Sequence, residues 1–145
     1  MSRRGQISIE LFLAFALFAF ILYWMNYMVG GMRDSTVRTS LLAQGMVGAG
    51  IVSGAANDAC AFGENITFTL PCVVAGGEGV PYWINRSGDS VAMRIMSEEP
   101  QVIEKPVVCG IEDFSFYEQC DETGMSVCAW LNTSGKAAIR EGACR

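Results

Sequence analysis

Glu10 is a single carboxylate placed inside an apolar run, five residues after Gly5 and four after Gln6. An acid inside a membrane-length segment is unfavourable unless a cation or a polar partner meets it, so its presence asks for one. Ahead of it stand Arg3 and Arg4, then Gly5-Gln6-Ile7-Ser8-Ile9. Six cysteines, Cys60, Cys72, Cys109, Cys120, Cys128 and Cys144, all follow the apolar run. An even number confined to one small extracytoplasmic region reads as three disulfides, and the fifteen possible pairings stay open. We expect Cys60 to join a nearby head cysteine, fixing helix to sheet, and Cys144 to pin the C-terminal end. Three sequons, Asn65-Ile-Thr67, Asn85-Arg-Ser87 and Asn132-Thr-Ser134, lack proline at the middle position and mark candidate glycan acceptors. They occupy three of the four asparagines beyond the apolar run, so the outside location fits both cysteines and asparagines.

Other constellations do not add up to catalysis. Histidine is absent, which removes the commonest general base and metal ligand. Zinc and thioredoxin-like redox sites need Cys-x-x-Cys spacing, whereas the closest cysteines here are Cys120 and Cys128. The acidic pairs Glu98-Glu99, Glu112-Asp113 and Asp121-Glu122 read as solvated surface. Asp121-Glu122 lacks the alternating carboxylates of an EF-hand loop. Gly76–Gly79 is not followed by the Lys-Ser/Thr of a phosphate loop. Ser87-Gly88 has no histidine to build a triad with. Tyr82, Trp83, Phe114, Phe116, Tyr117 and Trp130 read as core and sheet-face residues. No cofactor, no metal and no enzymatic activity are expected.

Three segments must position these groups. Ile7 to Val29 is a run of 23 residues, long enough at ~1.5 Å per residue to cross a ~30 Å hydrocarbon core. A cleavable secretory signal has an apolar region of about 7–15 residues, which is shorter. Arg3 and Arg4 place the N-terminus inside by the positive-inside rule, and Tyr23, Trp24 and Tyr27 suit the outer interface. From Val37 to Val52 apolar residues recur at helical spacing among many small ones, so a helix over 6–57 is expected, ending near Asn57-Asp58. The competing reading of that stretch is a flexible glycine-rich linker. Beyond it, a 58–145 head should carry five to seven short strands in one twisted antiparallel sheet. The strand candidates are 65–70, 73–74, 80–84, 90–96, 107–109, 114–118, 126–131 and 137–140. The fold class is therefore α+β: a long hydrophobic helix followed by a small disulfide-stapled head.

Charge is uneven. The chain has 10 Lys+Arg against 15 Asp+Glu. Residues 1–30 hold Arg3, Arg4 and Glu10, so the remainder carries 8 against 14. That acidic head has no electrostatic footprint for nucleic acid.

Arg3-Arg4-Gly5-Gln6-Ile7-Ser8-Ile9-Glu10 resembles the class III signal peptide of archaeal type IV pilins, whose pattern is Gln-x-Ser-x-Glu before a hydrophobic helix. The family often has leucine four residues after the glutamate, where this chain has Ala14. The resemblance covers residues 3 to about 30. It implies residues 1–5 as a cytoplasmic leader, removed between Gly5 and Gln6 by a prepilin peptidase. It further implies that Gln6, Ser8 and Glu10 serve assembly, with Glu10 meeting the new terminal amine of a neighbouring subunit. The implied partners are that peptidase, other copies and related pilins, the membrane before assembly, and a filament assembly platform. Two rival readings are a monomeric membrane-anchored binding module and a small extracytoplasmic redox or metal enzyme.

Overall fold

A computed structural model describes residues 3–120 and 124–144, with side chains described from Ile9 onward. The chain is α+β. One helix, α1 (Arg3–Phe62), precedes nine strands: β1 (Ile66–Leu70), β2 (Val74–Ala75), β3 (Glu78–Gly79), β4 (Tyr82–Ser87), β5 (Ser90–Ile95), β6 (Gln101–Pro106), β7 (Ser115–Glu118), β8 (Met125–Leu131) and β9 (Ala137–Glu141). By compactness the chain divides into residues 1–38 and residues 39–145.

In the first unit the helix is apolar on every side, and residues 9–36 are all exposed within the isolated chain. Alanine, leucine and methionine carry helix propensity here despite Gly30 and Gly31, where an added Cβ would meet nothing within 4 Å.

In the second unit the same helix becomes one-sided. Leu41, Gly45, Gly48, Ala49, Val52, Ser53, Ala56 and Ala59 are buried and recur about every 3.6 residues. The helix does not stop at Asn57-Asp58 but continues to Phe62. Gly63, at φ +69°, ends it by donating its N–H to the Ala59 carbonyl at 2.9 Å, the αL cap that favours glycine. Asn57 is spent otherwise: its Oδ1 accepts the Val108 N–H at 2.8 Å.

The buried stripe lies on a four-stranded antiparallel sheet of order β6-β5-β4-β7. A Cβ built at Gly45 would sit 2.6 Å from Ile103 Cδ1 and 2.9 Å from Ile95 Cδ1, and one at Gly48 would sit 2.7 Å from Met93 Sδ. Glycine at these places therefore sets how closely helix and sheet approach. Polar bonds fasten the helix to β2 and to β6. Gln44 donates through Nε2 to the Val74 carbonyl (2.9 Å) and accepts the Val74 N–H (2.8 Å). Ser53 donates to the Pro106 carbonyl at 2.7 Å.

The expected single sheet is three. A second sheet, of order β1-β8-β9, pairs β1 with the distant β8, and β2-β3 form a small ribbon. The strand expected at 107–109 is a turn, and the sixth strand lies just before it at Gln101–Pro106. The β4–β5 hairpin closes through Gly88-Asp89, with Ser87 opposite Ser90 and Gly88 at φ +61°. A two-residue turn of this kind takes glycine at its first central place.

Candidate functional site

The residues singled out by the sequence fall in three places. Gly5, Gln6 and Ser8 lie on the helical backbone of α1, ahead of the described side chains. Glu10 is exposed on α1, with the large apolar side chains Ile9, Leu11, Phe12 and Leu13 exposed around it. From there to Met32 the exposed surface is almost wholly apolar, with Asn26 turning its amide back to the Leu22 carbonyl (3.1 Å). This helix is long and apolar enough to cross a membrane. Hydrocarbon or another apolar surface is the environment that such a helix requires, since nothing within residues 1–38 covers it.

The cysteines form three pairs: Cys60–Cys109, Cys72–Cys120 and Cys128–Cys144, with Cα–Cα distances of 6.1, 5.2 and 5.1 Å. All three lie in the range that disulfides span. Each joins segments from different parts of the chain. Cys60 ties the last turn of α1 to the loop after β6. Cys72–Cys120 ties the segment after β1 to that after β7, and Cys128–Cys144 holds the C-terminal end against β8. Cys60 joins the head and Cys144 pins the C-terminal end, as expected, but the partner of Cys60 is not a nearby cysteine: Cys109 lies 49 residues along the chain.

The sequons differ in setting. Asn65 is exposed in the connection between α1 and β1, and its Thr67 hydroxyl accepts the Cys144 N–H at 3.0 Å. Asn85 is exposed on the outer face of β4, and Ser87 donates to Glu104 Oε1 at 2.8 Å. Asn132 is half-buried at the β8–β9 turn. Its Oδ1 accepts from Ser134 N (2.9 Å), Ser134 Oγ (2.7 Å) and Lys136 N (2.9 Å), while its Nδ2 donates to Glu112.

Of the acidic pairs, Glu112-Asp113 is engaged through both carboxylates. Asp113 accepts from Arg86 at 2.9 Å, and Glu112 is the partner of Asn132. The Glu99 carbonyl accepts from Ser97 Oγ and Gln101 Nε2 in the turn before β6. The pair Asp121-Glu122 lies outside the described residues. Among the described residues there is no group of three or more His, Cys, Asp or Glu arranged to hold a metal ion.

The aromatic residues split by face. Tyr82 is buried under the four-stranded sheet, where desolvation, with Glu118 adding to it, pushes its phenol up to about 12. Its hydroxyl donates to the Pro71 carbonyl at 3.4 Å. Trp130 carries the Arg140 guanidinium over its ring at 5.2 Å. Trp83 and Tyr117 are exposed side by side on the outer face, ring centroids 4.9 Å apart. Sequence reasoning did not find Gln44, Ser53 and Asn57, the side chains that fasten α1 to the head. Their only signal is polarity on the buried or flanking side of an otherwise small-residue helix. No family model, curated protein or solved structure matches this chain.

Proposed function

We propose that this chain is a structural subunit, not an enzyme, of a surface filament like the archaeal type IV pilus. In this reading residues 1–5 are removed after Gly5, the apolar part of α1 is stored in the membrane, and the same part becomes filament core. The observation that carries the reading is a helical surface exposed and almost wholly apolar on every side from Ile9 to Val29, interrupted near its start by the one carboxylate of Glu10. A plain anchor needs the apolar surface but not the acid. A polymer uses both: copies of the helix cover one another, and Glu10 is relieved by the terminal amine of a neighbour. The disulfide-tied head, with its sequons, suits the filament exterior, and glycans at one or more of Asn65, Asn85 and Asn132 belong to the same proposal.

Intact mass and N-terminal sequencing of the protein in sheared cell-surface material test it. The expected chain begins at Gln6 and is recovered in filaments. Glu10→Gln, which keeps the shape and removes the charge, is expected to leave the chain in the membrane and reduce filament yield at least tenfold, the effect of about 1.4 kcal/mol per subunit contact. A chain starting at Met1 or Ser2 and found only in membranes would mean an anchored, non-polymerising binding module. Wild-type filament yield from Glu10→Gln would remove Glu10 from assembly.

A further inference from the structure

The outer face of the four-stranded sheet carries a row of side chains in register: Tyr117 on β7, Trp83 on β4, Arg94 on β5 and Val102 on β6. All four are exposed, Trp83 at 41% and Tyr117 at 47% of their full area. A sheet face in water more often takes polar residues, and an indole and a phenol in contact there leave apolar area open. The next row on the same face is Ser115, Asn85, Ala92 and Glu104. Asn85 therefore stands two residues from Trp83 on one strand, roughly 6.6 Å along it, with both side chains on the same side. It is the first residue of a sequon, and among the described residues its side chain has no hydrogen-bond partner.

The other sequons lack this arrangement. Two residues before Asn65 is Gly63, which offers no ring. Two residues before Asn132 is Trp130, but that ring already carries Arg140, and the Asn132 carboxamide holds the β8–β9 turn through Ser134, Lys136 and Glu112.

We propose that Asn85 carries an N-linked glycan whose first sugar packs its C–H face on Trp83, beside Tyr117. The donor is a polyprenyl-phosphate-linked oligosaccharide. The Asn85 Nδ2–C1 bond forms, the C1–O bond to phosphate breaks, the polyprenyl phosphate leaves as the anion, and Nδ2 loses one proton. β4 is an inner strand of its sheet and Ser87 is hydrogen-bonded to Glu104, so transfer precedes closure of the sheet. The folded face then accommodates the product: Asn85 is exposed between the short side chains of Ser115 and Ala92. The sugar covers indole surface that water otherwise meets, and the sheet gains a polar exterior. The inference rests on the head lying outside the cell, as proposed above, but not on polymerisation.

The test uses the full chain purified from its own cells, together with Asn85→Gln and Ser87→Ala, each of which destroys the sequon at a different residue. Glycopeptide mass spectrometry reads occupancy. Hydroxyl-radical footprinting reads cover, with Trp24 and Trp130 as internal references. The expected result is a glycan at Asn85, and Trp83 and Tyr117 oxidised several-fold more slowly in the wild type than in either variant. The wild type should also melt higher by on the order of 5 °C, a difference that Trp83→Ala abolishes. Bare Asn85 in the wild-type chain, or a glycan there with unchanged Trp83 oxidation, overturns the inference. The filament reading fails separately: a chain beginning at Met1 or Ser2 with glycosylated Asn85 keeps this inference and sinks the filament, and a Gln6 chain in filaments with bare Asn85 does the reverse.

Discussion

Alanine at four glycines of α1 should separate into two signs. Gly50 and Gly54 have nothing within 4 Å of an added Cβ. Alanine there gains helix propensity and loses unfolded-state freedom, a stabilisation of about 1 kcal/mol each. Gly45 has the same propensity to gain, but its Cβ would lie 2.6 Å from Ile103 Cδ1 and 2.9 Å from Ile95 Cδ1. Those methyls belong to buried side chains on the inner face of β5 and β6, so they have little room to turn away. Overpacking of this kind costs about 1–3 kcal/mol, which leaves Gly45→Ala between neutral and ~2 kcal/mol destabilising. Gly48→Ala should fall between the two, because it meets the thioether of Met93, which yields more readily than a branched side chain. The assay is urea unfolding of the full chain in detergent, followed by tryptophan fluorescence. Ile103→Val removes the offending Cδ1 and should restore part of the loss in the double variant, with a coupling above about 0.5 kcal/mol. Equal stabilisation by Gly45→Ala and Gly50→Ala, or no coupling to Ile103→Val, would refute the close helix–sheet approach.

Two further outcomes follow from the head. The Cys60–Cys109 and Cys128–Cys144 pairs close separations of 49 and 16 residues. In the chain-entropy account their removal by paired serine substitution costs about 4 and about 3 kcal/mol, so the first should lower the urea midpoint more. Tyr82 supplies a pH dependence. Its phenol is held protonated up to about 12 in the folded chain, against 10.0 ordinarily. The stabilising difference is complete below pH 10 in the sense that both states stay neutral. As pH rises from 10 towards 12 only the unfolded state ionises, so stability falls, by at most ~3 kcal/mol. Melting curves between pH 9 and 12 should show this slope in the wild type and a shallower one in Tyr82→Phe; identical slopes would remove Tyr82 as the cause.

The helix and the local strands were legible because they are written in short-range patterns. β1, β4, β5, β7, β8 and β9 fall within a few residues of the expected segments, since alternation and turn glycines mark them. β6 was missed for a physical reason: it buries Gln101 and exposes Val102, which inverts the polarity that alternation relies on. Gln101 is tolerated inside because its Nε2 donates to the Glu99 carbonyl at 3.1 Å. Pro106 ends the same strand, and an edge position is where a residue without N–H can sit. The division into three sheets was not legible either. β1 finds β8 across more than fifty residues, and no local signal carries that pairing. Of the residues given chemical roles, the cysteines were readable as a disulfide set but not as pairs. The sequons were readable as acceptors, but only the register of β4 against β7 and β5 distinguishes Asn85 from the others.

The glycines of α1 and its apolar residues answer different demands on one continuous helix. From Ile9 to Val29 the side chains are mostly large and exposed all round, so whatever covers them must do so from every direction. From Leu41 onward the buried positions are small and the stripe is narrow, because one sheet at close range covers it from one side. Propensity alone would make the second stretch the weaker helix, with Gly45, Gly48, Gly50 and Gly54 each disfavoured by about 1 kcal/mol relative to alanine. It persists because Gln44, Ser53, Asn57 and Cys60 bind it at intervals to Val74, Pro106, Val108 and Cys109. The described side chains of the first stretch, residues 9–36, are all exposed. Its stability must come from lipid or from other chains, and under the proposed reading the exchange of one for the other is assembly itself. Glu10 then matters through the difference between those two environments: a carboxylate unrelieved in lipid and met by an amine in the polymer biases the exchange in one direction.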